Sequence, residues 1–175
     1  MKVVLQTVSR SWLNCVLRPA KSTGLFAKHL VAAAVVTAGV TSVAMPALAQ
    51  NYSPIPAYVV GNDRGGYLLD RLREMRNLRA SGQPVEIRGR VCFSTCTMLI
   101  GLPQTCISPD TVFGFHGPSR NGRPLPKGEF DAYSQIMANY YPQPLQSWFM
   151  STGRNRITSV HRFKGSELIN MGVRQ

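Results

Sequence analysis

Residues 65–118 decide the fold, and they read GGYLLDRLREMRNLRASGQPVEIRGRVCFSTCTMLIGLPQTCISPDTVFGFHGP. After the Gly65-Gly66 pair, apolar side chains recur every three or four residues, which predicts a helix over residues 66–79 with one buried stripe. The stripe consists of Leu68, Leu69, Leu72, Met75 and Leu78. The polar Ser81–Pro84 segment ends this helix. Apolar and polar residues then alternate from Pro84 to Val91, which predicts a strand.

The second half of this stretch predicts a short buried helix over residues 94–102 and two short strands, at 106–107 and 111–115. An apolar run at residues 57–61 predicts a further strand before the Gly-Gly pair. Strands and helices that alternate in this order are typical of right-handed parallel βαβ units. The sequence therefore predicts an α/β domain with a mainly parallel sheet and flanking helices.

Residues 119–160 form a candidate insert after this core. Its first part, 119–127, is polar and predicts a surface loop, and 130–141 and 144–150 predict helices rich in aromatic residues. Such aromatics serve in the core or in an interface more often than as a ligand platform. A last helix is predicted over residues 166–171, with Gly172 as its C-cap.

The first 49 residues have the pattern of an export signal. Five basic residues and no acid are followed by a mostly apolar run at 30–45 and by Ala47-Leu48-Ala49. The run is shorter than the ~20 residues that span a bilayer. We expect residues 1–49 to be a cleaved signal peptide and residues 50–175 to be a single periplasmic or secreted domain. An uncleaved anchor that leaves the domain facing the periplasm is the alternative.

The charge of the chain limits its partners. The whole chain has a net charge of +12, and residues 50–175 keep fifteen basic against eight acidic residues. No nucleic-acid motif accompanies this charge, so we expect no nucleic acid. A weak association with an anionic envelope surface stays open. The arginines between Arg71 and Arg79 alternate with Asp70 and Glu74, which favours a solvated helix face with local ion pairs.

Three features of the core could carry chemistry: the Gly65-Gly66 turn, Ser94 and His116. In a parallel sheet all three would lie at the carboxyl ends of strands, where α/β proteins bind ligands. Taken alone, the sequence favours a helix N-cap over a nucleophile for Ser94, and a structural histidine for His116.

The quoted stretch resembles the core of the Clp-protease and enoyl-CoA hydratase (crotonase) superfamily, and is most similar to short exported bacterial members. The resemblance rests on a Gly-Gly turn, a helix, a strand, a serine elbow and a strand that ends in His, over about residues 57–118. It implies a Clp-protease/crotonase-like core of repeated ββα and βαβ units. It also implies that Ser94 is a nucleophile, that His116 is its base, and that amides of Gly65 or Gly66 and of Thr95 form an oxyanion hole.

One element of that family's pattern is missing. Clp-type proteases have an Asp just before the closing helix, and here residues 158–163 contain no acid. Asp110 or Asp131 would have to take its place. A Ser-His dyad, a relocated acid and an inactive protein all stay open.

Three cysteines follow residue 50, and an exported protein favours a disulfide among them. We expect a bond between Cys96 and Cys106, with Cys92 as the runner-up partner for Cys106. A metal site or a thiol nucleophile is a weaker alternative, because no His lies near these cysteines in the sequence.

These features predict an exported serine hydrolase, peptidase-like, that acts on a peptide or a small acyl substrate without cofactor or metal. The alternative is a catalytically inactive binding or scaffold protein of the cell envelope that exposes Tyr140, Tyr141, Trp148 and Phe149 for assembly. A homo-oligomer is compatible with either reading.

Overall fold

Two small sheets organise residues 55–175, the part of the chain that the computed structural model describes. The first sheet consists of β1 (Tyr58–Val60), β2 (Val85–Ile87) and β4 (Thr105–Ile107), in the order β1-β2-β4. All its strands are parallel. The central strand β2 is buried along its whole length because both of its edges are paired.

The second sheet consists of β3 (Val91–Phe93), β5 (Val112–Phe115) and β8 (His161–Lys164), in the order β3-β5-β8. Strands β3 and β5 are parallel, with Phe93 opposite Gly114. Strand β8, which the sequence pattern did not predict, runs antiparallel to β5. A mixed α/β architecture is thus confirmed.

Helices cover these sheets and form most of the segment after residue 126. In chain order they are α1 (Leu68–Ser81), a 3-10 helix (Ser94–Gly101), α2 (Lys127–Ala138), α3 (Gln143–Ser151), a 3-10 turn (Gly153–Asn155) and α4 (Gly165–Asn170). The predicted surface loop contains a small hairpin of β6 (Ser119–Arg120) and β7 (Arg123–Pro124). Gly172 has φ of 97° and follows Met171, the C-cap residue of α4, as expected of a glycine that ends a helix.

The single strand expected over residues 84–91 is wrong, because the chain kinks at Gly89 and continues into the second sheet as β3. The amides of Arg88 and Gly89 both donate to the carbonyl of Val60. A Cβ at Gly89 would lie 2.1 Å from the carbonyl oxygen of Gly61. Only a glycine allows the two backbone segments to pack so closely.

The aromatic residues of the insert belong to the core. Phe149 is fully buried and Tyr141 nearly so, while Trp148 and Tyr140 are half-buried against the same core. The rings of Tyr141 and Trp148 both lie edge-on to Phe115 of β5, with centroids 5.4 and 5.8 Å away. The exposed aromatic surface expected for a scaffold protein is therefore wrong, because these side chains hold the insert against the second sheet.

The predicted signal peptide, residues 1–49, lies outside the described residues. Within residues 55–175, no helix has the length and apolar character that a bilayer crossing requires.

Candidate active site

Ser94 lies at a sharp turn between strand β3 and the 3-10 helix. Its φ is 56°, in the left-handed region that non-glycine residues seldom adopt. Its hydroxyl makes no hydrogen bond within residues 55–175 and lines a cavity of about 460 Å³. A strained strand-to-helix turn that presents a serine hydroxyl to a cavity is a common setting for a nucleophile.

Two neighbouring groups hold the Ser94 turn in place. The Thr97 hydroxyl donates to the carbonyl oxygen of Ser94 over 2.7 Å. That hydroxyl also lies 2.8 Å from the hydroxyl of Tyr141, in the insert. Because the Thr97 hydroxyl donates its only hydrogen to the Ser94 carbonyl, Tyr141 must be the donor in the second bond. Burial raises the pKa of Tyr141 above its ordinary value, so it keeps this proton.

A disulfide joins Cys92 to Cys96, with a Cα–Cα distance of 5.3 Å. The expected bond between Cys96 and Cys106 is therefore wrong. The 3-10 helix winds Cys96 back over the end of β3, whereas Cys106 continues into β4 in the other sheet. Ser94 lies within the short loop that this disulfide closes, so the disulfide directly restrains the candidate nucleophile.

Gly65 packs against Ser94. Its φ is 90°, and its amide donates to the Asp63 carboxylate over 2.7 Å. A Cβ at Gly65 would lie 2.5 Å from the Cβ of Ser94 and 2.9 Å from its Oγ. Because Asp63 already occupies the Gly65 amide, this amide is not available to a substrate oxygen.

The amides of Gly66 and Thr95 fit the expected oxyanion hole better. The Gly66 amide has no hydrogen-bond partner in the described part of the chain, and the residue faces open space. Thr95 occupies the first turn of the 3-10 helix, where amides lack intrahelical acceptors. The Thr95 hydroxyl donates to the Gly66 carbonyl over 3.5 Å, which keeps the two segments together.

His116 follows β5 directly and lines the same cavity as Ser94. Since β3 and β5 are parallel neighbours with Phe93 opposite Gly114, both side chains lie at carboxyl ends of adjacent strands. His116 Nδ1 lies 2.7 Å from the Gly117 carbonyl oxygen. A carbonyl can only accept, so Nδ1 carries the proton and the neutral ring presents Nε2 as a base. His116 and Ser94 make no hydrogen bond to each other.

Neither candidate acid contacts His116. Asp110 is exposed and precedes β5, so the length of the strand separates it from His116 at the other end. Asp131 lies in α2, where Lys127 and Arg154 bind its carboxylate at 2.7 and 2.9 Å. The hydrogen bond from Lys127 is the main reason that the pKa of Asp131 is lowered. A backbone carbonyl thus stands behind the imidazole where a triad has a carboxylate.

The sequence pattern missed several groups that face the cavity. Asp70 and Arg73 form the exposed local ion pair that was expected of this helix face, and both residues also line the cavity. Apolar side chains line much of the remainder, and two of them at the rim are strongly exposed: Tyr67 at 79% and Leu69 at 65%. Exposed apolar groups beside a cavity are typical of a ligand-binding mouth.

Arg71, by contrast, departs from the expected solvated face, since it is 9% exposed. Its guanidinium binds Asp63 at 2.5 Å and Glu74 at 2.6 Å. Because Asp63 in turn holds the Gly65 amide, this buried cation supports the turn that packs on Ser94.

Residues 55–175 contain no group of three or more His, Cys, Asp or Glu side chains placed to hold a metal ion. No family model, no curated protein and no solved structure matches the chain.

Proposed function

We propose that the protein is a serine hydrolase that uses Ser94 as nucleophile and His116 as general base. The observation that carries this proposal is the shared cavity, which is lined by Ser94, His116 and Gly66. Within residues 55–175, the Ser94 hydroxyl, His116 Nε2 and the Gly66 amide have no hydrogen-bond partner, so each is available for acyl transfer.

In the proposed reaction, Ser94 Oγ attacks the carbonyl carbon of an acyl substrate while its proton moves to Nε2 of His116. The amides of Gly66 and Thr95 donate to the oxygen that becomes negative, and one such donor typically lowers the barrier by about 3 kcal/mol. His116 then gives the proton to the leaving group, and an acyl-serine remains. Water hydrolyses it by the same steps, and the proton returns to Ser94.

The Gly117 carbonyl fixes the tautomer of His116 but does not neutralise an imidazolium ion as a carboxylate does. In triad enzymes the carboxylate also stabilises the imidazolium ion that forms during the reaction, and a neutral carbonyl lacks the negative charge to do so. We therefore expect slow turnover. Leu68, Leu125 and Met137 are among the apolar residues that line the cavity. This lining favours a substrate with an apolar acyl group or an apolar peptide side chain.

The order of strands and helices through residue 118 supports a Clp-protease/crotonase-like core, which we include in the proposal. We also propose that the domain is exported. The Cys92–Cys96 bond supports this location, because disulfides persist in oxidising compartments.

The test is covalent labelling by a fluorophosphonate probe, together with hydrolysis of p-nitrophenyl esters. Ser94→Ala should abolish both signals, and His116→Gln should reduce both strongly. Ser119→Ala is the matched control, because Ser119 lines the same cavity but has no role in the proposed step. Labelling that Ser119→Ala removes and Ser94→Ala spares would overturn the assignment. No labelling of the folded wild-type protein would favour an inactive binding protein.

A further inference from the structure

A second candidate site lies on the outer side of the β3-β5-β8 sheet. Phe93, Gly114 and Arg162 are directly opposite one another on the three strands. Gly114 has no side chain, and a Cβ there would lie 2.4 Å from the Phe93 ring. The ring therefore lies across the middle strand and reaches towards Arg162.

Two arginines use this ring as a platform. The guanidinium carbons of Arg64 and Arg162 lie 5.8 and 5.9 Å from the ring centroid of Phe93. A guanidinium held against an aromatic face keeps its in-plane N–H donors available to a ligand. The platform thus orders two long, otherwise mobile cations.

A third arginine completes the cluster. Arg156 lines a shallow cavity of about 630 Å³ together with Phe93, Arg162 and the hydroxyl residues Thr158 and Ser159. Burial and, secondarily, the positive charge of Arg156 lower the pKa of the neighbouring His161.

These three cations have no acidic partner within residues 55–175. Seven ion pairs in the described residues involve Arg71, Arg73, Arg88, Arg120, Lys127 or Arg154, and none involves Arg64, Arg156 or Arg162. Within residues 55–175, the Arg156 guanidinium donates a hydrogen bond only to the Val160 carbonyl, at 3.3 Å. Positive charge is therefore concentrated without compensation beside two hydroxyl donors.

We propose that this cluster of Arg64, Arg156 and Arg162 around Phe93 is a binding site for a phosphate group. Several guanidinium groups with flanking hydroxyls suit a tetrahedral oxyanion, which has more acceptor positions than a single carboxylate. The group could be free or part of a phospholipid headgroup. The site does not depend on hydrolysis at Ser94.

The experiment compares two double variants of the full-length chain that remove the same charge. Arg156→Gln/Arg162→Gln alters the site, whereas Arg76→Gln/Arg79→Gln removes two exposed arginines of α1. Arg64 stays unchanged because it precedes the Gly65 turn. Thermal unfolding of each variant confirms that it is folded. Binding of inorganic phosphate is measured by calorimetry at low ionic strength.

We expect saturable phosphate binding that the site variant weakens about tenfold and the control pair changes by less than about twofold. Co-sedimentation with vesicles separates the two sources of phosphate, using pure phosphatidylcholine against an equal mixture with phosphatidylglycerol. A preference for the mixture that only the site variant loses identifies a lipid headgroup, and phosphate binding without that preference identifies a free phosphate compound. Equal weakening in both variants, or neither kind of binding in the wild type, would overturn the proposal.

Discussion

Gly65 and Ser94 are in such close contact that a single added methyl group at residue 65 would overlap the Cβ of Ser94, 2.5 Å away. The two residues come from loops 29 positions apart, and each has a positive φ. Their contact joins the turn before α1 to the turn after β3, and both Gly66 and Ser94 line the cavity there.

Gly65→Ala should therefore lower the free energy of unfolding by about 3 kcal/mol, through overpacking and a strained φ. Gly66→Ala is the matched control, because a Cβ there meets open space and φ is not positive. It should unfold at nearly the wild-type urea concentration. Equal stability of the two variants in urea denaturation would show that Gly65 and Ser94 are not in contact.

Ser94→Gly and Ser94→Ala should differ in stability although both lose the nucleophile. Glycine adopts φ of 56° freely, whereas alanine keeps the strain, so the glycine variant should be more stable by up to about 1 kcal/mol. Thermal unfolding measures this difference, and the fluorophosphonate probe should label neither variant. A less stable glycine variant would mean that residue 94 has an ordinary backbone conformation.

Tyr58 should make stability depend on pH in the alkaline range. Its hydroxyl donates to Glu74 over 2.6 Å, and mainly this bond, with burial and the Glu74 charge, raises the pKa of Tyr58 from 10.0 to about 12. Between pH 10 and about 12, the Tyr58 hydroxyl therefore keeps its proton in the folded state and loses it in the unfolded state. The stabilisation is complete below pH 10 and disappears as the pH rises through about 12.

Urea denaturation of Tyr58→Phe across this range should show a smaller loss of stability with rising pH than the wild type. Tyr67→Phe provides the control, since Tyr67 is 79% exposed and its hydroxyl makes no hydrogen bond within residues 55–175. The same pH slope in the wild type and in Tyr58→Phe would disprove the bond to Glu74.

The disulfide pairing can be read from a cleavage at Met98, which separates Cys96 from Cys106. Cyanogen bromide should release residues 76–98 from the unreduced protein free of residues 99–137, because Cys92 and Cys96 are bonded to each other. Mass spectrometry that found these two fragments linked would show that Cys106 is bonded to Cys96 or to Cys92 instead. Replacing both Cys92 and Cys96 by alanine should cost about 2 kcal/mol of stability, as the short loop implies.

Local pattern predicted much of the fold. The apolar spacing from Leu68 to Leu78 identified α1, and the apolar segments around Val59, Ile107 and Phe113 identified three strands, since periodicity reports which face of an element is buried. The same reading selected Ser94 and His116, because residues at carboxyl ends of parallel strands share one edge of a sheet.

Pairings between distant segments could not be read in this way. The alternation over residues 84–91 predicted one strand, but the close approach of Gly89 to Gly61 interrupts it. Glu86 belongs to the polar side of that alternation and is nevertheless buried, because β2 is the central strand. Strand β8 has no apolar pattern of its own and is defined by its bonds to β5.

The amino-acid sequence by itself predicted α1, three of the strands and two residues, Ser94 and His116, that line one cavity, because these features follow from local spacing and from chain direction. Only the tertiary structure decided which cysteines bond, which amide remains open beside Ser94, and that a carbonyl rather than a carboxylate supports His116. Those outcomes depend on ångström-scale contacts between segments far apart in the chain. Such contacts do not produce a periodic pattern of apolar and polar residues, so the sequence pattern does not predict them.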